Sequence, residues 1–138
     1  MKLLVDTCVW SLALRRRATA KMSAVEQQTV AQLREAIQDR RVAIIGPIRQ
    51  EVLSGIRDKT QFARTAELLE PFRDEEILAS DYIEAARLFN LCRGRGVQCG
   101  PIDMLLLAVG VRNGLEILTD DQGLKRCMEI LKAAELLC

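Results

Sequence analysis

The chain of 138 residues contains no histidine. Histidine is the usual base of Ser-His-Asp triads and the commonest protein ligand of many metals, so both of these roles are excluded here. Aromatic residues are scarce as well, with three phenylalanines, one tryptophan and one tyrosine. Because Trp10 and Phe89 fall within helical apolar patterns, no platform for stacking nucleic-acid bases is visible in the sequence. Any chemistry must therefore depend on carboxylates.

Paired cysteine motifs and long apolar runs are also missing. None of the five cysteines forms a C-x-x-C pair, which argues against a zinc knuckle or a disulfide framework, and we expect reduced, structural cysteines. The first apolar stretch, Leu3 to Val5, is too short for a signal peptide or a membrane span, so we expect a soluble, cytoplasmic protein. A hydrophobic content of 49% suits one globular domain over residues 1–138.

Short apolar strands alternate with helices along the chain. Strands are expected at 2–6, 42–45 and 115–118, with weaker ones at 77–79 and 134–137. Capping signals and apolar periodicity predict helices at 7–14, 23–39, 47–55, 59–70, 81–93, 102–111 and 122–131. This alternation predicts a three-layer α/β/α domain with a mainly parallel sheet of four to five strands.

Aspartates follow the first strand and the strand at 115–118. Asp6 ends the former, and Asp120 and Asp121 follow the latter. In an open parallel sheet, ligands bind outside the carboxyl ends of the strands, so these residues lie where a site is expected. An aspartate before a helix is also what helix capping selects, so a purely structural explanation stands equally for Asp6 and Asp121.

Glu51 and Asp103 interrupt apolar helix faces. Glu51 shares a face with Ile48 and Val52, where we expect little exposure to solvent. Asp103 lies in the first turn of a helix that is hydrophobic on every side, so its carboxylate needs a cation, the helix dipole or several donors. If these acids converge, a divalent cation must relieve their repulsion, and an all-oxygen ligand set selects Mg²⁺ or Mn²⁺ over zinc.

Four segments of the sequence have the character of a known family. The chain contains, in this order, VDTCVW at 5–10, PIRQEVLSG at 47–55, GPIDMLLLAVGVRNG at 100–114 and EILTDDQGL at 116–124. Together they resemble a PIN-domain ribonuclease and, more narrowly, the VapC toxins of prokaryotic toxin-antitoxin pairs. The family's T-x-D-x-D-F pattern maps onto Thr119 and Asp121, but Gly123 and Leu124 replace its second aspartate and its phenylalanine. The fourth acid is therefore either Asp120 or Asp121.

The resemblance implies a metal-dependent endoribonuclease. Asp6 and Asp103 would be the principal ligands of Mg²⁺ or Mn²⁺, Glu51 and Asp121 would complete the acidic pocket, and the hydroxyl groups of two further residues would support it. These supporting residues are Thr7 and Thr119. The resemblance also implies a homodimer and inhibition by a small VapB-like antitoxin protein.

Basic residues near these acids could lead an RNA backbone to the pocket. They are Arg15, Arg16, Arg17, Lys21, Arg93 and Arg95. Solvated surface residues or antitoxin contacts would explain them equally well.

Other functional classes also use aspartates at the ends of strands. The main alternative is a non-catalytic PIN-like module, which would bind RNA or a partner without metal-dependent turnover. A dehalogenase-type phosphatase would need an aspartate where Cys8 stands, and a receiver-type signalling domain does not fit the order of the acids.

Overall fold

The computed structural model describes residues 2–15 and 21–134, and for Arg15 the backbone only. Arg16, Arg17 and residues 135–137 of the expected last strand lie outside the described residues. The elements, in chain order, are β1 (Leu3–Val5), α1 (Thr7–Arg15), α2 (Ala24–Gln38), β2 (Val42–Ala43), α3 (Gly46–Ser54), α4 (Lys59–Leu69), α5 (Ala79–Gly94), α6 (Pro101–Asn113), β3 (Glu116–Leu118) and α7 (Gln122–Ala133).

The described strands form one parallel sheet in the order β2-β1-β3. Leu4 of the central strand aligns with Ala43 on one side and Ile117 on the other. Every residue of β1 is buried, which explains its uninterrupted aliphatic sequence. The predicted α/β class with a parallel sheet is confirmed, and the carboxyl ends of β1 and β3 meet at the same edge.

The sheet has fewer strands than the sequence predicted. Three strands are present in the part of the chain that the structure describes, and the strand expected at 77–79 is wrong because Ala79 already begins α5. The reason lies at Leu78, whose N–H donates to the Asp81 carboxylate of that helix at 2.8 Å. A parallel bridge forms earlier instead, between Ile44 and Asp74.

Helix α6 is the centre of the core, as its composition predicted. Its residues from Met104 to Gly110 are all buried. A side chain at Gly110 would place a Cβ atom 2.8 Å from Ile117 Cδ1, so glycine lets α6 lie this close to β3 without displacing the Ile117 side chain. Gly114 ends the helix with a left-handed backbone (φ 66°).

The cysteines depart from expectation at one place. The structure joins Cys99, in the loop before α6, to Cys127 of α7 in a disulfide. Their Cα atoms lie 7.4 Å apart, wider than the ~4.4–6.8 Å usual for disulfides. The expectation of five reduced cysteines is therefore wrong for this pair, whereas Cys8 and Cys92 are free.

Among the described residues, no helix is both long enough and apolar enough to cross a membrane.

Candidate active site

Asp6 stands at the carboxyl end of β1 and is only 3% exposed. Its backbone N–H still belongs to the sheet, donating to Leu118 O at 2.9 Å. One carboxylate oxygen accepts the N–H of Thr7 at 2.8 Å, and the other accepts the hydroxyl of Thr119 at 2.8 Å. One oxygen of Asp6 thus contacts the first N–H of α1, whereas the other is held by a residue from the far end of the sequence.

Burial and hydrogen bonding act on Asp6 in opposite directions. Burial raises the pKa of its carboxyl group, and the hydrogen bonds from Thr119, Thr7 and Cys8 offset part of that rise. The Cys8 thiol lies 3.5 Å from the same oxygen that Thr119 contacts. Burial raises the pKa of Cys8 as well, so this side chain is a neutral donor at neutral pH.

Asp103 lies in the first turn of α6, as predicted, and faces the same pocket. One of its oxygens accepts the N–H of Gly100 at 3.0 Å. Burial, followed by the negative charge of Asp6, raises the pKa of Asp103 to about 6. Asp121 and Glu51 push this pKa in the same direction, which shows that the four acids lie close enough to interact.

Glu51, on α3, reaches the pocket from the other side. The Thr7 hydroxyl donates to its carboxylate at 2.5 Å, which links α3 to the start of α1. The expectation that Glu51 is shielded from solvent is wrong, since the residue is exposed. Ile48 and Val52 carry the buried face of α3, and Glu51 lies beside that face at the mouth of the pocket.

Asp121, rather than Asp120, lines the pocket. Its carboxylate also caps α7, accepting the N–H groups of Gly123 at 2.8 Å and Leu124 at 3.4 Å. Its own N–H donates to the Thr119 hydroxyl at 3.0 Å. The two explanations that the sequence left open for Asp121, a helix cap and a pocket residue, therefore both apply.

These elements enclose a pocket of about 350 Å³ at the carboxyl edge of the sheet. Its walls are formed by Asp6, Thr7, Cys8, Glu51, Gly100, Pro101, Ile102, Asp103 and Asp121. All four carboxylates are present, and the donor set is almost entirely oxygen, which suits a hard cation such as Mg²⁺ or Mn²⁺. In the described ranges, no three histidine, cysteine or acidic side chains are close enough to form a ready-made metal centre. A cation would have to draw them inward.

The comparison with protein families agrees with this architecture. The model of the PIN domain matches residues 3–129. The chain belongs to the PIN-domain family. A search of curated proteins gives no match.

Solved structures share the fold of this PIN domain. The crystal structure of VapBC2 from Rickettsia felis bound to a DNA fragment from their promoter gives a TM-score of 0.69 at 15% identity, over 92% of this chain and 93% of that one. The crystal structure of FitAcB from Neisseria gonorrhoeae gives 0.65 at 20% identity, again over 92% and 93%. At these identities the likeness shows the fold alone.

The predicted basic rim of this PIN domain is described only in part. Lys21, Arg93 and Arg95 are exposed. The guanidinium of Arg93 lies over the Phe89 ring, 5.8 Å from its centre. The side chain of Arg15, with Arg16 and Arg17, is outside what the structure describes, so their role stays a prediction.

Four of the wall residues were not predicted as part of the site. Cys8 faces inward because it follows Asp6 by two positions in the first turn of α1, and its sulfur accepts the N–H of Asp120 at 3.4 Å. Gly100, Pro101 and Ile102 form the wall next to Asp103. The Gly-Pro pair before a helix is a turn signal, but its proximity to Asp6 depends on the fold of this PIN domain.

Proposed function

We propose that this PIN domain is a metal-dependent endoribonuclease and the toxin of a VapBC-like toxin-antitoxin pair. The observation that carries the proposal is the convergence of Asp6, Glu51, Asp103 and Asp121 on one pocket at the carboxyl edge of the sheet. Membership of the PIN-domain family supports nuclease chemistry, because PIN domains are generally nucleases.

A bound Mg²⁺ or Mn²⁺ ion would supply a nucleophilic hydroxide near neutral pH and neutralise charge on the phosphoryl oxygens. Asp6 and Asp103 would hold the ion directly, since Mg²⁺ usually takes one or two carboxylates and keeps several waters. Glu51 and Asp121 would orient those waters or hold a second ion.

Two hydroxyl groups would keep the carboxylates in position. Thr119 donates to Asp6 and accepts the N–H of Asp121, and Thr7 donates to Glu51. Such contacts fix the direction of a ligand before the ion arrives, as the supporting groups of metal sites commonly do.

The proposed partners are an RNA substrate, a small VapB-like antitoxin and a second copy of the chain. The fold shared with the VapBC2 structure supports an antitoxin partner. Exposed apolar side chains are available for protein contacts at Phe62 and Leu68 of α4 and Val111 of α6.

The test is incubation of the purified protein with total RNA, with and without Mn²⁺ and with a chelator, followed by mapping of fragment ends. Discrete new ends that require the metal are expected. Copurification with the product of a small reading frame directly upstream would test the antitoxin.

The second candidate is a non-catalytic module that binds RNA or a partner. The replacement of the family's second aspartate by Gly123 favours it, as does the spread of the acids, which form no ready-made metal centre among the described residues. RNA binding without any metal-dependent new ends would decide for this candidate.

A further inference from the structure

A second cavity lies directly beside the acidic pocket. It has a volume of about 500 Å³, within the ~300–1,000 Å³ common for small-molecule sites. Pro101 and Ile102 line both cavities, and Pro47 stands one helical turn before Glu51. Anything held in this cavity would therefore adjoin a phosphate placed over the acids.

One face of α5 forms the long wall of the cavity. Tyr82 and Phe89 are seven residues apart, so they lie on the same face, separated by about 10 Å along the helix. Ala85 and Ala86 lie between them. Two small side chains between two aromatic ones leave a recess with a ring at either end, and we call this recess the α5 pocket.

The chemistry of the α5 pocket matches an unpaired nucleobase. Tyr82 is 56% exposed and presents a flat ring, and the ring of Phe89 and the faces of Pro47 and Pro101 add apolar surface. A base buries its faces against such surfaces and needs hydrogen bonds only at its edge. The exposed amide of Asn90 lies on the wall and offers both a donor and an acceptor.

Charge around the α5 pocket also fits RNA. Arg93, over the Phe89 ring, continues the same helix face and provides a positive charge for the backbone. A purely apolar protein side chain would use neither the Asn90 amide nor this guanidinium. We propose that the α5 pocket binds one unpaired base of the RNA next to the bond that is cut, and so selects the cleavage sequence. The inference rests on the proposed nuclease function for its substrate.

Binding is tested separately from cleavage. In the Asp6→Asn protein, which should leave RNA intact, short single-stranded RNAs carrying 2-aminopurine at successive positions are titrated and their fluorescence followed. Quenching is expected at one position. Tyr82→Ala should weaken binding at least about fivefold, the lower end for loss of one stacked base. The matched control is Ile83→Ala, which removes the neighbouring apolar side chain, 72% exposed, on the same helix but outside the pocket.

Specificity is tested with metal present and an intact acidic pocket. Asn90→Asp, which replaces the amide donor with an acceptor, should change the base preferred beside the cleaved bond, whereas Ile83→Ala should keep the cleavage sites of the native protein. Sedimentation velocity on the same variants reports self-association.

Unchanged RNA affinity in Tyr82→Ala together with unchanged cleavage sites in Asn90→Asp would overturn the α5 pocket and leave the nuclease proposal intact. If Tyr82→Ala instead converts a dimer to monomers and leaves RNA affinity unchanged, the surface binds a second copy of the chain, and the α5 pocket is overturned as a base site. A third outcome would separate the two proposals. If Tyr82→Ala removes the position-specific quenching but the native protein produces no metal-dependent RNA ends, the base site is supported and the nuclease proposal is overturned.

Discussion

Asp81 and Asp103 occupy the same position in two consecutive helices, yet their surroundings are opposite. Each lies in the first turn, and each accepts the N–H of the residue three positions earlier, Leu78 at 2.8 Å and Gly100 at 3.0 Å. Asp81 also accepts two hydrogen bonds from Arg112, at 2.8 and 2.9 Å, which lower its pKa. The surroundings of Asp103 raise its pKa to about 6.

The difference shows what distinguishes a structural carboxylate from a site carboxylate. Asp81 has its counter-charge built into the fold and serves to join α5 to α6. Asp103 has three other acids as its charged neighbours, and no ion pair in the described part of the chain involves it. A carboxylate without a cation partner among other carboxylates has the surroundings that the proposed metal site requires, because an external cation would relieve the repulsion.

The largest effect is expected from removing charge at the site. Asp6→Asn or Asp103→Asn should reduce metal-dependent RNA cleavage by at least about 100-fold, the upper end for losing a supporting group of a metal site. Initial cleavage rates in Mn²⁺ measure it. The matched control is Asp120→Asn, which changes the same residue type next to Asp121 but outside the pocket wall and should cleave normally. Wild-type rates in both site variants would contradict the assignment.

Metal binding should raise the unfolding free energy of the native protein. It should change the unfolding free energy of Asp103→Asn very little. At a free metal concentration of 100 times Kd the gain in unfolding free energy is about 2.7 kcal/mol. Thermal melts across a Mg²⁺ or Mn²⁺ titration measure this gain. Asp120→Asn should gain as much as the native chain, and equal gains in Asp103→Asn would show that the ion binds elsewhere.

A smaller effect is expected at Thr119. Thr119→Val removes the hydroxyl that donates to Asp6 and accepts from Asp121. Loss of such a bond to a charged group should lower kcat/KM about tenfold. Thr29→Val is the control, because its hydroxyl donates to Val25 O within α2, away from the site. An equal loss in both variants would indicate a general effect on stability.

The smallest effect concerns pH in the absence of metal. Because the pKa of Asp103 is raised from 3.8 to about 6, the folded state binds more protons than the unfolded state between these values, and stability from this group is lost as pH rises through that window. Asp103→Asn should therefore melt higher than the native chain above pH 6, with the difference vanishing below about pH 4.

Asp81→Asn should have a lower melting temperature than the native chain in the same experiments, the opposite of Asp103→Asn. Its lowered pKa gives stability that is present at neutral pH and lost only as pH falls through the folded value, below 3.8. If Asp103→Asn has a lower melting temperature than the native chain at pH 7.5 in the presence of a chelator, the comparison between Asp103 and Asp81 is contradicted.

Much of the fold was predictable because its signals are local. The aliphatic run of β1, the capping box of Ser23 and Glu26, and the apolar sequence of α6 each specify an element without long-range information. The strand expected at 77–79 failed because a helix cap competed for the N–H of Leu78, a competition that depends on where Asp81 is anchored.

The site was predictable in its acids but not in its contacts. Carboxyl ends of parallel strands meet by geometry, so Asp6 and Asp121 could be placed together from their positions after strands. The bonds from Thr7 to Glu51 and from Thr119 to Asp6 join residues far apart in sequence and required the fold. Phe89 falls within a helical apolar pattern in the sequence, and only the structure shows that its ring lines the α5 pocket.

The hydrogen bond between Thr119 and Asp6 joins residues 113 positions apart. The centre is therefore incomplete until almost the entire chain has been made, because a ribosome-bound intermediate lacking β3 has neither Thr119 nor Asp121. The pocket therefore takes its shape only when β3, the last described strand in the sequence, pairs with β1, the first.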